Sequence, residues 1–197
     1  MEINAAMVRE LREKTGVGMM DCKKALQDTN ADMEKAIDLL RKKGLAKAAK
    51  REGREATEGM VHAYIHAGGR IGVMIEVNCE TDFAGKSEDF IEFVKNVAMH
   101  IAAASPLAIT EEELPQDVVE RERAIYMEQA KESGKPANIL EKMVDGKMRK
   151  YYEESVLLHQ KYIKDPDKSI QDYMNELVAK IGEKIIIRRF IRYQLGA

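Results

Sequence analysis

From the first residues to about position 45, apolar positions recur every three or four residues, interrupted by two turn signals. Val8 and Leu11 lie on a first helix with Arg12, and this helix runs into Thr15-Gly16-Val17-Gly18. Two glycines in four residues break it. Met19 to Thr29 forms a second helix. Asn30-Ala31-Asp32 supplies a turn and a cap, with Glu34 in the next first turn, where the helix dipole favours a carboxylate. Met33, Ile37 and Leu40 mark one face of a third helix, expected to end at Gly44. Near residue 60 the period becomes two. Val61, Ala63 and Ile65 alternate with His62, Tyr64 and His66. After Gly68-Gly69, Ile71, Val73, Ile75 and Val77 alternate again. Two such runs around a Gly-Gly turn predict a β-hairpin.

The helical period then returns. Ser87 can cap a helix with Phe90, Val94, Val97 and Ile101 on one stripe, ending before Pro106. Pro115 to about Gly134 and Pro136 to about Leu158 predict an antiparallel helical pair, the second helix carrying Leu140, Val144, Met148 and Tyr151. Asp165-Pro166 opens one more helix, Ile170 to Ile181, stopped by Gly182. Ile185 to Tyr193 is β-branched and aromatic, hence a strand. An isolated hairpin is marginal, so this strand is expected to pair with it, with helices on one face of the sheet. The predicted class is α+β with helix dominant. Residues 1–45 make a three-helix module, 46–56 a helical basic linker, and 57–197 a core whose helical hairpin spans about 116–158.

Composition narrows the function classes. The chain has 197 residues, 34% of them charged, and a net charge of -2. No apolar run approaches the ~20 residues that cross a bilayer, and the N-terminus shows no secretory pattern. Cys22 and Cys79 make no metal-like or redox spacing, which fits a reducing cytoplasm. From Arg41 to Arg54, Arg41, Lys42, Lys43, Lys47, Lys50, Arg51 and Arg54 face one acid, Glu52. The plainer reading is a solvated helical linker; the functional one is a positive strip for an acidic partner or nucleic acid. The run lacks the interleaved aromatics of single-strand binders.

Catalytic patterns are missing. There is neither a phosphate loop nor G-x-G-x-x-G. His62 and His66 share a strand face at a spacing too long to chelate one metal. The acids Glu10, Glu13, Glu111, Glu112 and Glu113 have no nucleophile or histidine beside them. Neither cysteine has a basic partner to lower its pKa. No cofactor or metal is expected, and the protein reads as one that binds rather than an enzyme. Between the hairpin and the next helix stands Thr81-Asp82-Phe83. Taken alone, Phe83 is better explained as a staple beneath its own helix than as an outward anchor.

Two stretches, Thr15-Gly16-Val17-Gly18-Met19-Met20-Asp21-Cys22-Lys23-Lys24-Ala25-Leu26 and Asn78-Cys79-Glu80-Thr81-Asp82-Phe83, together resemble the elongation factor Ts family. Shorter matches are Tyr64-Ile65-His66, Arg70-Ile71-Gly72-Val73, Ser133-Gly134-Lys135-Pro136 and Lys180-Ile181-Gly182-Glu183. The resemblance implies an N-terminal ubiquitin-associated-type module. It implies a cytoplasmic guanine-nucleotide exchange factor that binds elongation factor Tu with GDP, displaces its magnesium ion and lets GTP enter. Arg12, Met19, Met20 and Lys23 would meet the nucleotide-binding domain of Tu. Thr81, Asp82, Phe83 and Ala84 match the segment held to displace magnesium, although the family usually has Val where this chain has Ala84. His66 matches a histidine that touches another domain of Tu. The single core half resembles the short members, whose core dimerises, which implies a homodimer and a two-plus-two complex. No direct nucleic-acid or membrane partner is implied. The alternative is a ubiquitin-associated-type interaction module on a dimeric scaffold, without exchange activity.

Overall fold

A computed structural model of the chain describes residues 3–49, 53–132, 134 and 136–197. Lys50, Arg51 and Glu52 of the basic run, and Ser133 and Lys135, lie outside the described residues. The described chain is helix-dominant, with a small antiparallel sheet of three strands. It forms two compact units. The first comprises Met1–His62, Ile75–Lys95 and Asp172–Arg188, the second Ala63–Met74, Asn96–Gln171 and Arg189–Ala197.

The first unit opens with α1 (Ala5–Thr15). Asn4 caps it by accepting the Met7 N–H at 2.9 Å, and Gly16 ends it with a left-handed φ of 66°. Next come α2 (Met19–Asp28) and α3 (Met33–Ala49). Val8, Leu11, Val17, Cys22, Ala25, Leu26, Ala36 and Leu40 close a core among the three helices. The Asp32 carboxylate accepts the Lys35 N–H at 3.1 Å, so the expected cap is present.

Gly44 does not stop the third helix, contrary to expectation. A Cβ at Gly44 would lie 3.2 Å from the Cβ of Ala179 in α8 (Ile170–Ile181). The glycine therefore marks a close helix approach instead of a cap. Arg41 also reaches Asp172 at 2.8 Å, and Lys43 pairs with Asp28 at 2.9 Å. With Arg54 on Glu80 at 2.9 Å, three members of the basic run are engaged by carboxylates of their own unit.

The hairpin is β1 (Glu58–Ile65) and β2 (Ile71–Cys79). β2 is the central strand, flanked on its other side by β5 (Ile185–Gln194). Along β2, Val73, Ile75, Val77 and Cys79 are buried on one face; on the other, Met74 is exposed, Gly72 and Glu76 are half-buried and Asn78 is buried. Along β1 the phase is the less obvious one. His62 and Tyr64 are half-buried, whereas Val61 and Ile65 are exposed. Burial, and then the charge of Lys95, hold the His62 pKa below its ordinary value. α4 (Asp82–Gly85) is a single turn, and α5 (Glu88–Ala104) follows. Ser87 Oγ accepts the Phe90 N–H at 3.3 Å, and the stripe Phe90, Val94, Val97, Ile101 is fully buried.

In the second unit, α6 (Gln116–Lys131) and α7 (Ala137–Ser155) form the expected helical pair. Ala130, Val144 and Met148 close its core, and Arg123 meets Asp145 at 3.0 Å. One expectation fails here. Asp165-Pro166 does not open a helix; Asp165–Ser169 is β4, paired antiparallel with β3 (Lys161–Tyr162). The helix itself, α8, has the expected bounds Ile170–Ile181. Beside this ribbon His100 is buried, its Nε2 2.9 Å from Gln160 Oε1.

Candidate partner-binding site

The junction after β2 is assembled from the backbone outward. Thr81 sits in extended conformation as the cap of α4, and its Oγ1 accepts the Ala84 N–H at 3.2 Å. That turns the chain back on itself within one helical turn. Ala84 is 2% exposed and Phe83 84%. The methyl fastens the turn inward and the ring next to it stands in solvent. The staple reading of Phe83 is thereby excluded, because a staple must be covered. Asp82 is exposed on the same turn and pairs with Lys86 at 2.7 Å. The bond to Lys86 and its positive charge hold the Asp82 carboxyl below its usual range.

Beneath the turn the approach of two backbones is close. Gly59 of β1 has φ 135°, and a Cβ there would lie 2.1 Å from the Val77 carbonyl oxygen. A Cβ on Gly85 would lie 3.3 Å from the Gly59 Cα and 3.4 Å from the Cys79 Sγ. Position 59 admits only glycine, and a side chain at 85 would press on the strand beneath it. The Cys79 thiol donates to the Thr81 carbonyl at 3.1 Å, and burial pushes its pKa up to about 11. An open depression of about 660 Å³ lies beside the turn, lined by Glu58, Met60, Asp82, Lys86 and Ile91 among others.

Two carboxylates tie this junction to the one before β5. Glu183 accepts the Thr81 N–H at 3.0 Å and the Thr81 hydroxyl at 2.7 Å, one on each oxygen. In return Glu80 accepts the Lys184 N–H at 2.6 Å and Arg54 Nη1 at 2.9 Å. Glu80, Glu183 and Gly59 were not singled out as site residues from the sequence. Two of them lie in matched stretches, Glu80 in Asn78–Phe83 and Glu183 in Lys180–Glu183, but neither was given a role.

The other expected contact residues are exposed. Arg12 and Lys23 face solvent, Met19 is partly open, and Met20 is 77% exposed at the start of α2. They flank the Thr15–Gly18 connection, away from the buried Cys22, Ala25 and Leu26 of α2. His66 is exposed at the hairpin tip, with its Nδ1 3.0 Å from the Tyr64 hydroxyl. In the second unit one sheet face presents Ile65, Met74, Ile191 and Tyr193, followed by Leu195, all exposed. Among the described residues no group of three or more His, Cys, Asp or Glu could hold a metal ion, and no helix is long and apolar enough to cross a membrane.

Against known proteins, the model of the family described as elongation factor Ts matches residues 4–197. The elongation factor Ts of Syntrophobacter fumaroxidans is 77% identical over 197 residues, covering 100% of this chain and 98% of that protein. That of Desulfosudis oleivorans is 60% identical over 194 residues, covering 98% of each chain. The protein of the same name from Caldanaerobacter subterraneus subsp. tengcongensis is 57% identical over 194 residues, covering 98% of this chain and 97% of its own.

Proposed function

Because the chain belongs to the elongation factor Ts family, we propose that it is the guanine-nucleotide exchange factor of elongation factor Tu in the cytoplasm. The observation that carries the reading is Phe83, a large apolar ring held out in solvent on a turn whose other side is buried. Exposed rings on fixed backbone are what interface anchors look like, and truncating such an anchor costs ~2–4 kcal/mol of binding. In the proposed mechanism Asp82 and Phe83 enter Tu near its magnesium ion. Magnesium demands near-ideal octahedral geometry, so a small displacement of its surroundings loosens its hold on the phosphates of GDP. GDP leaves and GTP enters. By reciprocity, the factor binds less tightly once nucleotide returns. No bond of substrate is made or broken, so the protein works as a binder and not as an enzyme. Arg12, Met19, Met20, Lys23 and His66 supply affinity.

The exposed apolar face of Ile65, Met74, Ile191 and Tyr193 supports a homodimer, because monomers seldom leave such a strip uncovered. Light scattering at micromolar concentration should give twice the chain mass; a monomer would remove the two-plus-two assembly. The exchange reading is tested by the release of labelled GDP from purified Tu. Addition of the protein should speed release many-fold, and an unchanged rate would sink the reading in favour of a scaffold without exchange activity.

A further inference from the structure

The Thr81 turn hangs on residues from a distant part of the chain. Glu183 lies 102 positions away, yet its carboxylate takes both donors that Thr81 offers, the N–H at 3.0 Å and the hydroxyl at 2.7 Å. The same hydroxyl oxygen then accepts the Ala84 N–H. Glu183 thus orients the group that caps α4, and α4 carries Phe83. The arrangement is reciprocal: Glu80, one residue before Thr81, accepts the Lys184 N–H at 2.6 Å, one residue after Glu183. β2 and β5 are neighbours in the sheet. Just past their paired ends, backbone–backbone bonding gives way to two crossed carboxylate–backbone bonds. Such charge-assisted bonds are shorter and stronger than neutral ones. Arg54 adds a third strap by donating to Glu80, and the Lys184 ammonium donates to the Arg54 carbonyl at 2.9 Å.

A loop with an exposed ring would ordinarily sample many orientations, and binding would have to order it. Here the ring has no cover of its own to hold it, so the backbone beneath must do so. We propose that Glu183 is a positioning residue for exchange. Through Thr81 it keeps the Phe83 turn in the conformation that enters the partner. The inference rests on the exchange reading above, and it has a readout that does not.

That readout is Cys79, which lies under the turn and donates to the Thr81 carbonyl. The Glu183 charge also helps to raise the Cys79 pKa, so in a Cys22→Ala background thiol labelling is followed against pH, and the rate per thiolate reports how often the turn lifts. Glu183→Ala should raise that rate at least fivefold with the circular-dichroism spectrum unchanged. An unchanged rate overturns the clamp whatever happens with Tu. The functional arm is a cycle of GDP release from Tu at saturating factor. Glu183→Ala should slow release about tenfold. Glu183→Gln should slow it two- to fourfold, since its amide oxygen can still accept one of the two bonds. In a Phe83→Ala background, Glu183→Ala should add less than twofold. If the two defects multiply instead, Glu183 acts elsewhere and the proposal fails. It fails equally if Glu183→Ala exchanges at the wild-type rate while Phe83→Ala is slow. Should Glu183→Ala not fold, the Gln variant carries both arms. A wild-type factor that does not speed GDP release indicts the exchange reading alone, and the labelling arm still decides the clamp.

Discussion

The turn that carries Phe83 and the hairpin tip that carries His66 are both short connections at strand ends, yet they are held in opposite ways. The turn is fixed by the Glu183 and Glu80 carboxylates, by its own Thr81 cap, and by Gly59 and Gly85 stacked beneath it. The tip closes with two backbone bonds of its own, His66 N–H to Ile71 and Gly69 N–H to His66, each 2.9 Å, and its one outside backbone tether among the described residues is the Leu195 N–H on the Arg70 carbonyl at 2.8 Å. Gly68 and Gly69 have φ of 87° and 68°, and a Cβ on either would meet nothing within 4 Å. A rigid presenter can transmit force to a partner, because any misfit is borne by the partner. A loose one can only follow the partner's surface. The difference assigns the two loops different work within the proposed exchange: displacement to Phe83, and adaptable contact to His66.

The largest measurable contrast between them is chemical. With a pKa near 11, about one Cys79 in 10³ is thiolate at pH 8, whereas an ordinary thiol of pKa about 8.5 is roughly a quarter ionised. In a Cys22→Ala background, Cys79 should therefore label on the order of 200 times more slowly than a cysteine introduced by Ala67→Cys at the tip. Burial should widen the gap. Comparable rates would mean that the turn opens as freely as the tip.

Phe83→Ala comes next. A hot-spot loss of ~2–4 kcal/mol corresponds to roughly 30-fold to several-hundred-fold slower GDP release from Tu. The same change should move the melting temperature by under about 2 °C, since exposed positions are normally worth less than ~0.5 kcal/mol. A core phenylalanine would instead lose about 3–5 kcal/mol of folding stability. A large fall in melting temperature with normal exchange by the surviving protein would show that the ring supports the fold and does nothing to Tu.

How far these features could be read from residues alone depended on the range of the forces involved. The stripe Phe90, Val94, Val97, Ile101 was legible because a helical period states both the element and its buried side, and all four are buried. The Gly44 expectation failed because a local helix-ending signal competed with a tertiary one, the approach of Ala179, which has no local trace. β4 was unreadable for a different reason. Asp165-Pro166-Asp167-Lys168-Ser169 has no β-branched or aromatic residue and is a strand only by pairing with Lys161 and Tyr162. In β1 the alternation was visible but not its phase, because covering His62 and Tyr64 while exposing Val61 and Ile65 runs against simple hydrophobicity. At the site, the Thr81-Asp82-Phe83 junction stood out as a motif. Its clamp did not, because Glu183 is brought there only by the pairing of β2 with β5.

Gly59→Ala probes the base of the clamped turn. The added Cβ would meet the Val77 carbonyl oxygen, and φ of 135° is unfavourable for any side chain. Overpacking and backbone strain together should cost on the order of 3 kcal/mol. For a chain of this size that lowers the melting temperature by roughly 6–12 °C. The folded fraction should also exchange more slowly, since Gly85 rests on Gly59. A variant that melts lower but exchanges normally once folded would separate the base from the turn.

The smallest expected effect belongs to the tip. His66→Ala removes an exposed ring and its bond to the Tyr64 hydroxyl. Binding through an adaptable loop is offset partly by the cost of ordering it, about 0.5–1.5 kcal/mol per immobilised side chain. The net loss should be below ~1 kcal/mol, or about two- to fivefold in the factor concentration that half-saturates exchange. The maximal release rate should stay within about twofold. Binding energy that is the same in the ground and transition states sets the affinity and leaves the rate of the saturated complex alone. Steady-state release of labelled GDP across a range of factor concentrations separates the two quantities. If His66→Ala lowers the maximal rate as much as Phe83→Ala does, the tip shares in displacement, and rigidity is not what distinguishes the two loops.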